Sequence, residues 1–129
     1  MIKYMLDTNI CIYLIKRKPQ KIVDKFNHYR RGEICISSIT WAELCCGIKK
    51  DGSNVEQLLD VLKVAPFGIN EGKIYGKLSE LFPNRKSTLD RMIASHALSL
   101  KVTLVTNNIS DFECYIPEGL ILENWITES

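Results

Sequence analysis

Apolar positions along the chain recur with two alternating patterns. Ile2-Lys3-Tyr4-Met5-Leu6 is a short apolar run that ends at Asp7, the form of a strand buried in a sheet. The Ile10–Ile15 run that follows predicts a helix through about Lys16, capped by Thr8 or Asn9. A second helix opens near Pro19, carries Ile22, Val23 and Phe26 at helical spacing, and stops at Gly32. Ile34-Cys35-Ile36 reads as a compact strand, and Ser38 or Thr40 caps a helix running to Lys50. Gly52-Ser53-Asn54 then breaks the chain. Val55, Leu58, Leu59 and Leu62 form a helical stripe. Val64-Ala65-Pro66-Phe67 is an edge strand, because its proline cannot donate to a ladder.

The second half repeats the alternation. Asn70 caps a helix over Glu71–Leu81, closed by Pro83. Ser87 or Thr88 caps another from Leu89 to Leu100, with Met92, Ile93, Ala97 and Leu100 on one face. Val102-Thr103-Leu104-Val105 is a nearly continuous apolar strand, Thr106-Asn107-Asn108 a polar turn, and Leu120-Ile121-Leu122 a last short strand. This order predicts one three-layer α/β/α domain over residues 1–129, built on a mostly parallel sheet. Such sheets carry their chemistry beyond the C-terminal ends of the strands.

Composition narrows the compartment. The chain has 129 residues, 46% hydrophobic and 25% charged, an ordinary globular balance. Its apolar runs are too short to span a bilayer, and its N-terminus lacks the pattern of a secretory leader. A cytoplasmic protein without membrane association is expected. Five cysteines, an odd number with no C-x-x-C spacing, point to buried thiols, not to zinc or disulfides. All 17 Lys and Arg lie within residues 1–101, while residues 102–129 hold five acids and no base. The short basic clusters Lys16-Arg17-Lys18, His28-Tyr29-Arg30-Arg31, Lys49-Lys50 and Arg85-Lys86 fit solvated helix ends, or a positive rim for a polyanion.

Four acids fall at strand ends or helix starts: Asp7, Glu43, Asp90 and Asp111. Asp7 lies between apolar runs, and a half-buried carboxylate there needs a cation or several donors. Converging carboxylates without His or Cys describe an oxygen-ligand site for Mg²⁺ or Mn²⁺, suited to activating water against a phosphodiester. No nucleotide-binding glycine loop and no Ser–His–Asp context accompany them. Arg85 and Lys86, just before Asp90, are candidate contacts for a polyanion such as RNA.

Four segments, in order, resemble the motifs of PIN-domain toxins of the VapC type: Met5-Leu6-Asp7-Thr8-Asn9, Ser37-Ser38-Ile39-Thr40-Trp41-Ala42-Glu43-Leu44, Asp90-Arg91-Met92-Ile93-Ala94-Ser95-His96-Ala97 and Val105-Thr106-Asn107-Asn108-Ile109-Ser110-Asp111-Phe112. The resemblance runs from Met1 to about Trp125. It implies a PIN-like fold and a Mg²⁺-dependent endoribonuclease, the toxin of a type II toxin–antitoxin pair. It also implies a homodimer inhibited by a VapB-type antitoxin, which alone contacts operator DNA. The members it most resembles cut initiator tRNA in the anticodon region and so block translation. Asp7, Glu43 and Asp90 match the family's metal-holding acids; the fourth place falls on Asn108 or on Asp111. Thr8, Asn9 and Thr106 match polar residues that orient those acids, and they also suit helix caps and strand ends. The segment Lys86-Ser87-Thr88-Leu89 departs from the glycine-containing turn that relatives often carry before this acid. Two alternatives remain: a receiver-like signalling domain, and a metal-less PIN-like domain that acts by binding protein.

Overall fold

The computed structural model describes residues 1–47, 55–85 and 87–126. Its strands are β1 (Tyr4–Leu6), β2 (Ile34–Ser37), β3 (Lys63–Ala65), β4 (Thr103–Val105) and β5 (Ile121–Glu123). They form one sheet in the order β3-β2-β1-β4-β5, and every pairing is parallel. The sheet is thus wholly parallel where a mostly parallel one was expected. The strand order also excludes the receiver-like alternative, whose sheet runs 2-1-3-4-5.

Period-two alternation sends side chains to two cores. Met5, Cys35, Ala65 and Leu104 face one cluster with Leu78, Ile93, Ala97, Phe112 and Tyr115. Leu6, Ile34, Ile36 and Val105 face the other with Ile10, Cys11, Ile22, Leu44, Leu58 and Trp125. Burial on both faces explains why the strands read as continuous apolar runs. Helices α1 (Thr8–Lys16), α2 (Gln20–Asn27) and α3 (Ser38–Gly47) contribute to the second cluster, and α4 (Ile69–Leu81), α5 (Thr88–Leu100) and α6 (Ile109–Phe112) to the first.

Several local expectations change. Helix α1 is capped by Asp7, not by Thr8 or Asn9: β1 stops at Leu6, and Asp7 stays extended at φ −72° and ψ 163°. Helix α4 begins after Gly68 instead of Asn70, with the Glu71 carboxylate accepting the Gly68 N–H at 2.8 Å. A carboxylate at the third helical position satisfies a backbone donor that the helix leaves open. Val55–Asp60 is a 3₁₀ helix. Three residues per turn leave Leu58 buried and turn Leu59 outward, 44% exposed.

In α5 the buried set is Arg91, Ile93, Ala94, Ser95, His96 and Ala97, while Leu100 is 38% exposed. The helix packs against both α4 and β4. The predicted extension of α3 to Lys50, the break at Gly52-Ser53-Asn54, and the Lys49-Lys50 cluster lie outside the described residues. All five cysteines are free thiols, but only Cys11 and Cys35 are buried and Cys46 is exposed, contrary to the expectation of buried thiols; burial pushes Cys35 up to about 12 and raises Cys11 further. Among the described residues no helix is long and apolar enough to cross a membrane.

Candidate active site

The chain leaves β1 toward β2 and leaves β4 toward β5, so a crevice opens where these neighbouring strands end. Asp7 is held in it. Its N–H donates to the Val105 carbonyl at 2.9 Å, extending the β1–β4 ladder by one residue. One carboxylate oxygen accepts the Thr8 N–H at 2.8 Å and the other accepts the Thr106 hydroxyl at 2.9 Å. The residue is only 5% exposed.

Burial pushes the Asp7 carboxyl up to about 6, its two hydrogen bonds oppose the rise, and the charges of Asp90 and Glu43 add to it. The three acids therefore share one electrostatic neighbourhood. Glu43, on α3, accepts the Thr8 hydroxyl at 2.9 Å, so Thr8 touches two of them, one by its N–H and one by its O–H. Asp90, in the first turn of α5, accepts the Ser87 hydroxyl. The Thr106 oxygen also accepts the Asn108 N–H at 3.0 Å, linking Asp7 to the start of α6. Asp111 sits within α6, its N–H donating to the Asn108 carbonyl at 3.0 Å.

The donor set fits a hard divalent cation: oxygen ligands only, with one carboxylate buried and its pKa raised chiefly by that burial. Among the described residues no three His, Cys, Asp or Glu side chains gather tightly enough to hold one ion. Asp7 nonetheless feels the charges of both Glu43 and Asp90, so the three acids remain the candidate ligands of one ion. Glu43 and Asp90 are each anchored separately, Glu43 on the Thr8 hydroxyl and Asp90 on the Ser87 hydroxyl.

The other candidates divide. Thr8 and Thr106 orient the acids as just described, whereas Asn9 makes no side-chain hydrogen bond among the described residues. Arg85 donates to the carbonyls of Ser110 and Asp111 at 3.2 and 3.0 Å, and its Nε is buried. Both contacts are made by Nη2, which ties one nitrogen of the guanidinium to the backbone of α6. Lys86 lies outside the described residues.

Three features escaped the sequence reading. Ser87 grips Asp90, and the Ser87-x-x-Asp90 spacing of a capping box was the available signal. Arg91 is buried, with no periodic signal to distinguish it from a surface base. His96 is also buried, its Nδ1 2.7 Å from the Ser37 hydroxyl, which accepts the Ile39 N–H at the start of α3. Burial holds the His96 imidazole below its ordinary pKa, and the Glu71 charge opposes that shift. The contact joins α5 to the strand end that leads into α3, and hence the elements carrying Asp90 and Glu43.

The family model of the PIN domain matches residues 4–113, a span that contains every candidate residue above. This chain belongs to the PIN-domain family. Within the family it is a VapC homologue. It is 37% identical to Ribonuclease VapC2 of Haemophilus influenzae, with 98% of this chain and 100% of that protein aligned. It is 40% identical to the tRNA(fMet)-specific endonuclease VapC of Salmonella typhimurium, covering 97% of this chain and 99% of the relative. The DNA-bound VapBC structure from Salmonella typhimurium matches this PIN domain with a TM-score of 0.85 at 36% identity, covering 97% and 99% of the two chains.

Proposed function

We propose that this PIN domain is a metal-dependent endoribonuclease, the toxin of a type II toxin–antitoxin pair, which cuts initiator tRNA in the anticodon region and blocks translation. The observation that carries the reading is the buried Asp7 carboxylate, raised to about 6 at the sheet's switch point with Glu43 and Asp90 beside it. Asp7, Glu43 and Asp90 would hold Mg²⁺ or Mn²⁺, with Asn108 or Asp111 at the rim. The chemistry such an ion supplies when bound is neutralisation of phosphate charge and a more acidic water. The chain's own part is to hold charge in place. Thr106 and the Thr8 N–H fix both oxygens of Asp7, the Thr8 hydroxyl orients Glu43, and Ser87 orients Asp90. The oxygen-only acid set favours direct attack by water on phosphorus, with one P–O bond of the RNA backbone breaking.

The name of the Salmonella relative supports tRNA as the substrate, and the VapBC complex supports a VapB-type antitoxin as partner. A largely apolar groove of about 150 Å³ lies between α1, α2 and the 3₁₀ helix, lined by Leu14, Ile15, Val23, Phe26, Leu58 and Val61 together with the polar Arg17, Asn27 and Gln57. It suits the apolar face of an antitoxin helix. Operator DNA is reached through the antitoxin, and the toxin works in the cytoplasm as a homodimer.

The test is incubation of the purified chain with total tRNA, with Mg²⁺ or with chelator, followed by mapping of the cut ends. One cut in the anticodon loop of initiator tRNA, lost with chelator and in Asp7→Asn, is expected. Cleavage that survives both changes overturns the assignment. A metal-less domain acting by protein binding is the second reading, since among the described residues no three His, Cys, Asp or Glu side chains form a ready-made metal group. Absence of both cleavage and Mn²⁺ binding by calorimetry would select it.

A further inference from the structure

Arg91 is 6% exposed, an unusual place for a guanidinium. Among the described residues it has no carboxylate within ion-pair distance. Neutral acceptors hold it instead. Nη2 donates to the Phe82 carbonyl at 2.7 Å and the Arg85 carbonyl at 2.9 Å, Nη1 to the Ser79 hydroxyl at 3.1 Å, and Nε to the Tyr115 hydroxyl at 3.3 Å. One side chain thus gathers the end of α4, the connector that follows it, and the 3₁₀ helix Glu113–Glu118.

Arg85, whose carbonyl Arg91 holds, reaches onward with its own guanidinium to the carbonyls of Ser110 and Asp111 on α6. These two carbonyls stand near the C-terminal end of that short helix, where the backbone leaves acceptors open. The two arginines therefore act in series. Asp90 precedes Arg91 in α5, and its partner Ser87 lies on the connector that Arg91 draws in. Asn108 and Asp111 lie on the turn and helix that Arg85 grips. A buried charge without an ionic partner is retained at a cost that an apolar side chain of similar volume would avoid. Its compensation here is geometric, four acceptors fixed by one planar fork.

We infer that Arg91 and Arg85 are positioning residues, a two-step strut that sets the separation between Asp90 and the Asn108–Asp111 rim of the active site. Neither touches the reacting phosphate. The inference rests on the proposed acid site and deepens it. It also gives Arg85 a role different from the RNA contact expected of it.

The experiment measures single-turnover cleavage of an initiator tRNA transcript across RNA and salt concentration, together with hydrogen exchange of the 108–112 amides. Arg85→Met and Arg91→Met are expected to lower the saturated rate by about 10- to 100-fold, the scale of an ångström-sized misplacement. The half-saturating RNA concentration and the salt slope stay unchanged, and the α6 amides exchange faster. Arg91→Lys, which keeps charge but loses the fork, fails to restore the rate. The double variant is no slower than the slower single one, because both interrupt one strut.

If Arg91→Met does not fold, Tyr115→Phe replaces it as a milder loosening of the same guanidinium, with the same direction expected in rate and exchange. A raised RNA requirement and a salt slope smaller by about one in Arg85→Met, with the saturated rate intact, would make Arg85 a phosphate contact and overturn the strut. So would a wild-type saturated rate in Arg91→Met. Asp7→Asn separates the two levels of inference. If it cleaves normally, the acid site itself is misassigned; if it is inactive while the arginine variants keep full rate, the strut alone fails.

Discussion

Replacing Asp7 by Asn is expected to make the metal-free protein more stable and catalytically dead. The carboxyl is raised from 3.8 to about 6 in the folded chain. At 1.36 kcal/mol per unit, its ionised form therefore destabilises the native state by about 3 kcal/mol at pH 7. The sign follows from proton binding. Between those two values the native state holds more protons than the unfolded one, so wild-type stability falls as pH rises through that window.

The Asp7→Asn variant lacks this slope. It keeps one oxygen for the Thr8 N–H but turns an amide N–H toward Thr106, whose oxygen already accepts the Asn108 N–H. The Thr106 hydroxyl proton then loses its acceptor, at a cost of about 1 kcal/mol. The remainder, about 2 kcal/mol at pH 7, corresponds to a rise in Tm of roughly 5–10 °C for a domain of this size. Thermal melts in chelator at pH 7 and pH 4 measure it. The variant's advantage should vanish at pH 4, where the wild-type carboxyl is largely protonated in the folded state. Added Mn²⁺ should raise the wild-type midpoint and leave the variant's unmoved. A variant that melts below wild type at pH 7 in chelator would refute the reasoning, as would a gap that does not change with pH.

Two further outcomes follow from the same contacts. Thr106→Val removes a hydrogen bond that favours the ionised Asp7, so the acidic limb of the pH–rate profile should move to higher pH; an unmoved limb would deny Thr106 that role. Phe26→Asp places a charge in the apolar groove and should abolish copurification with a co-expressed antitoxin while tRNA cleavage persists; retained copurification would place the antitoxin elsewhere.

What the amino-acid order made legible was whatever depends on burial along a short segment. Ile34–Ile36 and Val102–Val105 read as strands because both faces of the sheet are covered, and Asp7, Glu43 and Asp90 drew notice as acids at strand ends and helix starts. Strand order was not legible, since a run of strands and helices does not say which strand lies beside β1. The course of Arg91 was hidden for a related reason. Its four acceptors come from residues 79, 82, 85 and 115, and no local pattern announces that they meet.

The misplaced cap of α1 has the most instructive cause. A reading confined to neighbours assigns Thr8 or Asn9 to the cap and leaves Asp7 for chemistry, as though one residue could serve only one purpose. In the fold, Asp7 extends the ladder to Val105, caps α1 and presents a carboxylate to Glu43 and Asp90. A helix N-terminus alone would favour ionisation of that carboxylate. The rise to about 6 means that burial and the neighbouring acids outweigh both hydrogen bonds. That imbalance is what a cation bound at the site would relieve, and it follows from where β1 ends beside β4.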